Sequence, residues 1–184
     1  MKNLLFVISG PSGVGKGTIA KIITESDTVK LSISCTTRLP RNGEEDGLHY
    51  FFITKDEFLS RIDKGEFLEY SEHFGNYYGT PLSFVKETLK TKDVVLEIDV
   101  NGALEVKKAY PEAVLIMVVP PTIEELKNRL IGRGTESIEK IEERIKRVEY
   151  ELEKKKYYDY TVINDNLQDA VKEIKGVMLK EKTR

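Results

Sequence analysis

A chain of 184 residues suffices for one domain with a proper core, and 40% hydrophobic against 33% charged residues is the balance of a globular protein. A net charge of −2 argues against a general nucleic-acid or membrane-surface binder, which would carry a basic excess. No apolar run approaches a membrane span, the first residues lack the shape of a signal peptide, and Cys35 alone allows no intrachain disulfide, so a reducing cytoplasmic setting is expected.

Leu4 to Ile8 is an unbroken apolar run and reads as a strand buried on both faces. From Gly10 the chain runs Gly10-Pro11-Ser12-Gly13-Val14-Gly15-Lys16-Gly17-Thr18 and then places Ile19, Ile22 and Ile23 at helical spacing. Strand, glycine loop and helix together are the setting of a phosphate-binding loop, whose backbone N–H groups curl around an oxyanion at a helix N-terminus. Lys16 adds a full charge for the outer phosphates. A hydroxyl residue commonly follows that lysine and meets Mg²⁺; here Gly17 stands there and Thr18 comes next. The metal is then held by Thr18 or through water, with substrate phosphates completing its shell. The loop implies a nucleoside triphosphate and does not name the acceptor.

Leu31 to Ser34 reads as a second strand and Cys35 to Glu44 as a polar loop carrying Arg38 and Arg41. His49 to Ile53 is a strand by its aromatic and β-branched content. Thr54-Lys55-Asp56-Glu57 opens a helix through Ile62, which Gly65 closes. Phe67 to Tyr70 and Tyr77-Tyr78 flank Phe74-Gly75-Asn76 as a hairpin, and Thr80-Pro81 reads as an N-cap followed by proline at the first helical position. This stretch departs from the βαβ rhythm and reads as a small inserted α+β unit. Strands at Asp93–Asp99, Ala113–Val119 and Tyr160–Ile163 then alternate with helices: one from Asn101, one capped by Thr122 and reaching Gly132, a long one over Ile138–Leu152, and a last one capped by Asn166. The pattern predicts an α/β fold with a parallel sheet covered on both faces and binding at the carboxyl ends of its strands.

Two guanidinium forks, Arg38 and Arg41, with the phenols of Tyr50 and Tyr78, make a cradle for a second phosphate, although solvated loop arginines would look the same in isolation. Glu97 and Asp99 share a face at a strand end by period two. Arg129 is an i,i+4 partner for Glu125, whereas Arg144 has Lys140 and Val148 at i−4 and i+4, neither of them an acid.

At this point the chain resembles the guanylate kinase family. The matching stretches are Gly10 to Lys16, Ser34-Cys35-Thr36-Thr37-Arg38-Leu39-Pro40-Arg41, Gly47 to Phe52, Gly65 to Glu69, Gly75 to Thr80, Leu96 to Gly102, Pro120-Pro121-Thr122, Leu130 to Thr135 and Val162 to Asp165, in family order across almost the whole length. The resemblance implies a P-loop NTPase fold that moves the γ-phosphoryl group of ATP onto GMP with Mg²⁺. It implies a core of residues 1–34, 82–123 and 150–184, a GMP-binding insertion at about 35–81 and a helical lid at about 124–149. By the resemblance, the loop Gly10–Thr18 together with Arg129, Arg133 and Asn164 binds ATP. Glu69 reads guanine with Ser34 and Thr80, and Arg38, Arg41, Tyr50 and Tyr78 hold the GMP phosphate. Glu97 and Asp99 lie on the GMP side, Asp99 and Thr18 serve the metal or its waters, and Lys16, Arg38, Arg133 and Arg144 are the catalytic cations.

Guanine presents N1–H and a 2-amino group side by side, so one carboxylate accepts both, while adenine offers an acceptor at N1. This chain departs from the family at Gly17 and at Glu143, where many relatives carry arginine. A scaffold-type binding module on the same fold and a kinase for AMP or another monophosphate are the competing readings. The intact Lys16, Arg133 and Arg144 oppose the first, and Glu69 opposes the second. ATP and GMP are the expected partners, without nucleic acid or membrane, as monomer or homo-oligomer.

Overall fold

The computed structural model describes residues 2–73, 75–132 and 138–184. The first apolar run forms β1 (Leu5–Ser9), wholly buried, and the glycine loop delivers the chain into α1 (Lys16–Ile23), which buries Ile19, Ala20 and Ile23. β2 (Val29–Leu31) lies slightly earlier than the strand expected at Leu31–Ser34. Cys35 and Thr36, expected to begin a polar loop, instead form β3 (Cys35–Thr36) and are buried. A thiol packs as a small apolar group, and the Thr36 hydroxyl donates to the Tyr77 carbonyl at 3.0 Å, so neither side chain needs water.

β4 (Phe51–Phe52) is shorter than the strand expected at His49–Ile53, with Tyr50 set apart in an isolated bridge to Asp46. α2 (Lys55–Asp63) starts where the Glu57 N–H donates to Thr54 Oγ1 at 3.2 Å. β5 (Phe67–His73) and β6 (Asn76–Pro81) form the expected antiparallel hairpin. α3 (Leu82–Thr88) opens at Pro81 rather than at Thr80, whose side chain is drawn into the sheet. There follow β7 (Asp93–Glu97), α4 (Val100–Ala109), β8 (Val114–Val119), α5 (Ile123–Gly132), α6 (Ile138–Glu153), β9 (Tyr160–Ile163) and α7 (Leu167–Lys182). Side-chain caps at Asp99, Thr122 and Asn166 take the first N–H groups of α4, α5 and α7.

Five strands pair in parallel in the order β2-β7-β1-β8-β9. Along β1 the period of two sends Phe6 and Ile8 to the face covered by α1 and α7, and Leu5 and Val7 to the face covered by α3 and α4. Each such side chain contributes roughly 1.5–3 kcal/mol by leaving water. A second sheet, ordered β4-β3-β6-β5, is antiparallel except between β3 and β4. α5 and α6 pack on each other through Leu126, Leu130, Ile141 and Val148, a small core of their own. The site sits where the carboxyl ends of β1 and β7 face the second sheet and α6.

Candidate active site

The loop after β1 has positive φ at Gly10, Gly13 and Gly15. At Gly15 (φ +98°) the need is double, since a Cβ would also come within 2.5 Å of Asn164 Nδ2. Asn164 follows β9, is buried, and donates from Nδ2 to the Val14 carbonyl at 2.7 Å. Its own carbonyl accepts from Arg129 Nη1 at 2.9 Å, while Arg129 Nε donates to Glu125 at 3.1 Å. A chain of bonds thus runs from α5 through Asn164 to the underside of the loop. The Lys16 ammonium donates to the carbonyls of Gly10 and Pro11 at 2.8 and 3.0 Å.

Across from the loop, Glu69 on β5 is buried and its Oε1 accepts from Thr80 Oγ1 at 2.6 Å. Gly102, in the first turn of α4, lets that helix end close on the same carboxylate; a Cβ there would stand 2.8 Å from Glu69 Oε2. Arg38 is gripped from several sides: Nη2 donates to Glu44 at 2.9 Å, Nη1 to the Leu39 carbonyl at 2.8 Å, and the guanidinium lies 5.5 Å over the Tyr50 ring. Glu44 also accepts the Arg41 N–H at 2.8 Å. The bond from Arg38, and after it the Arg41 N–H, holds the Glu44 carboxyl down at about 2. Tyr50 packs edge-on against Tyr78 with centroids 6.0 Å apart, and burial pushes its phenol up.

One cavity of about 760 Å³ joins these parts. Gly10, Ser12, Lys16, Ser34, Arg41, Tyr50, Glu69, Tyr78, Glu97, Asp99 and Arg144 line it. The other candidates stand behind its wall. Pro11, Gly13, Val14, Gly15, Gly17 and the exposed Thr18 form the loop and the start of α1; Thr80 backs Glu69; Arg38 backs Tyr50; Arg129 and Asn164 back the loop. Arg133 lies outside the described residues. Arg144 reaches the loop from α6, its Nη1 3.4 Å from Ser12 Oγ.

The guanylate kinase family model matches residues 2–181. The chain is 51% identical to a guanylate kinase of Clostridioides difficile, over all of this chain and 90% of that one. It is 50% identical to a guanylate kinase of Listeria monocytogenes, over 96% of this chain and 88% of the relative. The chain belongs to the guanylate kinase family. Its fold is that of the guanylate kinase crystal structure from Anaplasma phagocytophilum, with a TM-score of 0.82 at 30% identity over all of this chain and 88% of that one. A family member of this kind is a nucleotide-binding phosphotransferase on the P-loop fold.

Set in this family frame, the cavity also contains residues that the sequence did not single out. Ser71, Lys140, Arg147 and Glu151 line it. Lys140, Arg144, Arg147 and Glu151 recur at three or four residues along α6, which is a signal, but charged residues at that spacing read from sequence as a solvated helix face. Glu44 and Gly102 were legible only as loop and helix-start residues.

Proposed function

We propose that this protein transfers the γ-phosphoryl group of ATP to GMP, giving ADP and GDP, in the cytoplasm. The observation that carries the reading is the single cavity with a phosphate loop on one wall and a buried, Thr80-held carboxylate on the other. Residues 35–81 act as the GMP-binding unit, residues 124–149 as the lid, and the remainder as the core. Glu69 accepts N1–H and the 2-amino group of guanine, with Ser34 and Thr80 fixing its surroundings. Arg41, Tyr50 and Tyr78 take the GMP phosphate, with Arg38 shared between that phosphate and Glu44.

On the donor side the backbone of Gly10–Thr18 cradles the triphosphate, and Lys16, Arg133 and Arg144 neutralise charge on the transferring group. An acceptor phosphate that is ionised at pH 7 needs no dedicated base, so positioning and charge neutralisation carry the reaction. Arg129 and Asn164 act on ATP through the loop they brace.

No group of three or more His, Cys, Asp or Glu among the described residues could hold a metal ion. That suits Mg²⁺, which keeps several waters and leans on one or two protein oxygens plus substrate phosphates. Asp99 and Thr18 would serve it, with Glu97 nearby; bound there it would neutralise charge on the phosphate oxygens. Asp99 Oδ1 is already committed to the N–H groups of Asn101 and Gly102, at 2.8 and 2.9 Å, which favours contact through water.

No helix among the described residues is long and apolar enough to cross a membrane. The test is a coupled assay of ADP formation from ATP and Mg²⁺ with GMP, AMP, CMP and UMP in parallel. GMP alone is expected to give a strong signal. Equal turnover of AMP would overturn the acceptor assignment, and no turnover with any acceptor would return the chain to a binding role.

A further inference from the structure

Helix α6 turns Lys140, Glu143, Arg144, Arg147 and Glu151 toward the cavity. Within that face Arg147 Nε donates to Glu151 Oε1 at 2.9 Å. The pair is lopsided: the Glu151 side chain is 10% exposed and that of Arg147 is 44% exposed.

Local helix energetics do not account for it. Glu151 stands in the last turn of a helix ending at Glu153, where the negative end of the macrodipole disfavours a carboxylate. The acid is also C-terminal to the base, the less favourable order for an i,i+4 pair. Burial opposes its charge, a cost that the nearby Arg147 and Lys16 only partly offset, while Asp99 and Tyr158 add negative or polar neighbours. What the arrangement does secure is a tether: the guanidinium is held through Nε, and its Nη groups make no hydrogen bond among the described residues.

The cavity that Arg147 lines also has Gly10, Ser12 and Lys16 of the phosphate loop in its wall. One turn before Arg147, Arg144 meets Ser12 of the loop, and Lys16 lies close enough to act on the Glu151 charge. The charge balance of the face points the same way: without Arg147, the acids Glu143 and Glu151 would cancel Lys140 and Arg144. A helix face with no net charge would be poorly suited to receive a polyphosphate.

We propose that Arg147 is a further phosphate-binding arginine, aimed by the positioning residue Glu151 at the triphosphate of the donor nucleotide. The proposal rests on the donor-site reading given above.

The test is steady-state kinetics of Arg147→Ala, Arg147→Lys, Glu151→Ala, Glu151→Gln and the double alanine variant, with KM for ATP, KM for GMP and kcat measured separately. Thermal midpoints are recorded for each. Arg147→Ala is expected to raise KM for ATP by roughly tenfold or more, the loss of a charge-assisted hydrogen bond, with KM for GMP unchanged. Glu151→Ala is expected to reproduce part of that rise, Glu151→Gln less of it because its amide oxygen still accepts from Nε, and the double variant no more than Arg147→Ala.

An unchanged KM for ATP in Arg147→Ala overturns the proposal, as does a rise in both KM values that tracks a fall in the midpoint. A lowered KM for ATP in Glu151→Ala would make Glu151 a brake on binding and overturn its positioning role. If the wild-type protein transfers no phosphoryl group from ATP, the donor-site reading itself fails. An active wild type with an indifferent Arg147→Ala sinks this inference alone.

Discussion

Glu69 is held on one oxygen by Thr80 and approached on the other by the open first turn of α4 at Gly102. Two changes probe that arrangement. Glu69→Gln keeps one acceptor but turns an amino group toward the two donors of guanine, so kcat/KM for GMP should fall by about a hundredfold or more while KM for ATP holds. Full preference for GMP over AMP in that variant would remove Glu69 from base recognition. Gly102→Ala pushes a methyl group to 2.8 Å from Glu69 Oε2, and should raise KM for GMP without touching ATP; equal effects on both substrates would mean a general loss of packing instead. Glu44 yields a prediction in pH. Its carboxyl sits at about 2, below the usual carboxylate range, because Arg38 and then the Arg41 N–H bond its charged form. A depressed value means that the clamp on the arginine loop is fully present above the ordinary carboxylate pKa and is lost as pH falls toward 2. A ¹³C carboxyl titration should place the Glu44 midpoint near 2, and Arg38→Ala should return it toward 4.5. A wild-type midpoint at the ordinary value would mean the clamp does not form in solution.

At the scale of elements, the link from α5 to the phosphate loop separates two roles for Asn164. If it braces the loop, Asn164→Ala leaves the buried Val14 carbonyl without its partner at a cost of about 1–3 kcal/mol, a thermal midpoint lower by several degrees and a raised KM for every donor nucleotide alike. If it reads the base, the midpoint stays and the choice between ATP and GTP changes; that result would reject the brace. The resemblance puts Asn164 among the ATP-binding residues without separating the two roles, and its amide bond to Val14 favours the brace. Other elements were legible for definite physical reasons. Leu4–Ile8 and Val114–Val119 are continuous apolar runs, and Thr54, Thr122 and Asn166 carry cap chemistry that nothing nearby competes with. β3 was not legible, because two residues show no period and its burial comes from β4 and β6, distant in sequence. Thr80 misled because a hydroxyl before proline fits an N-cap, but the β5–β6 pairing had already claimed it. The glycine loop and the presence of Glu69 at the cavity could be read from sequence because short contiguous motifs carry them. The Glu44 clamp and the Arg147–Glu151 pair could not, since their meaning lies in what faces them across the cavity.

For the molecule as a whole, the cavity is shared by parts whose cores are only partly separate: Leu68 of β5 packs in the core of the parallel sheet, and Leu152 of α6 packs on both the α5–α6 cluster and the cluster of Val100, Met117 and Val119. The parallel sheet has its two faces, the second sheet packs through Phe58, Phe67 and Tyr77, and α5 with α6 has the small cluster around Leu126 and Val148. Parts that share only some of their core residues can shift relative to one another while most of each core stays packed, and excluding water from two bound nucleotides calls for such a shift. Hydrogen exchange can follow it part by part. An ATP analogue alone should slow exchange in α1 and α6, where the loop and its facing arginines lie, and GMP alone should slow it in β3, β5 and β6. Both together should slow all of them by more than the product of the separate effects. Each ligand would then bind a molecule that the other has partly closed, and that coupling must appear equally in the two affinities. The same logic sets the thermal shift: at a hundred times Kd one ligand adds about 2.7 kcal/mol, and a coupled pair must exceed the sum of the two single-ligand values. Strictly additive protection and additive shifts would mean that the walls of the cavity fill independently. Capture of the phosphoryl group would then depend on side chains alone, with Lys16, Arg144 and Arg147 already in place before the acceptor arrives.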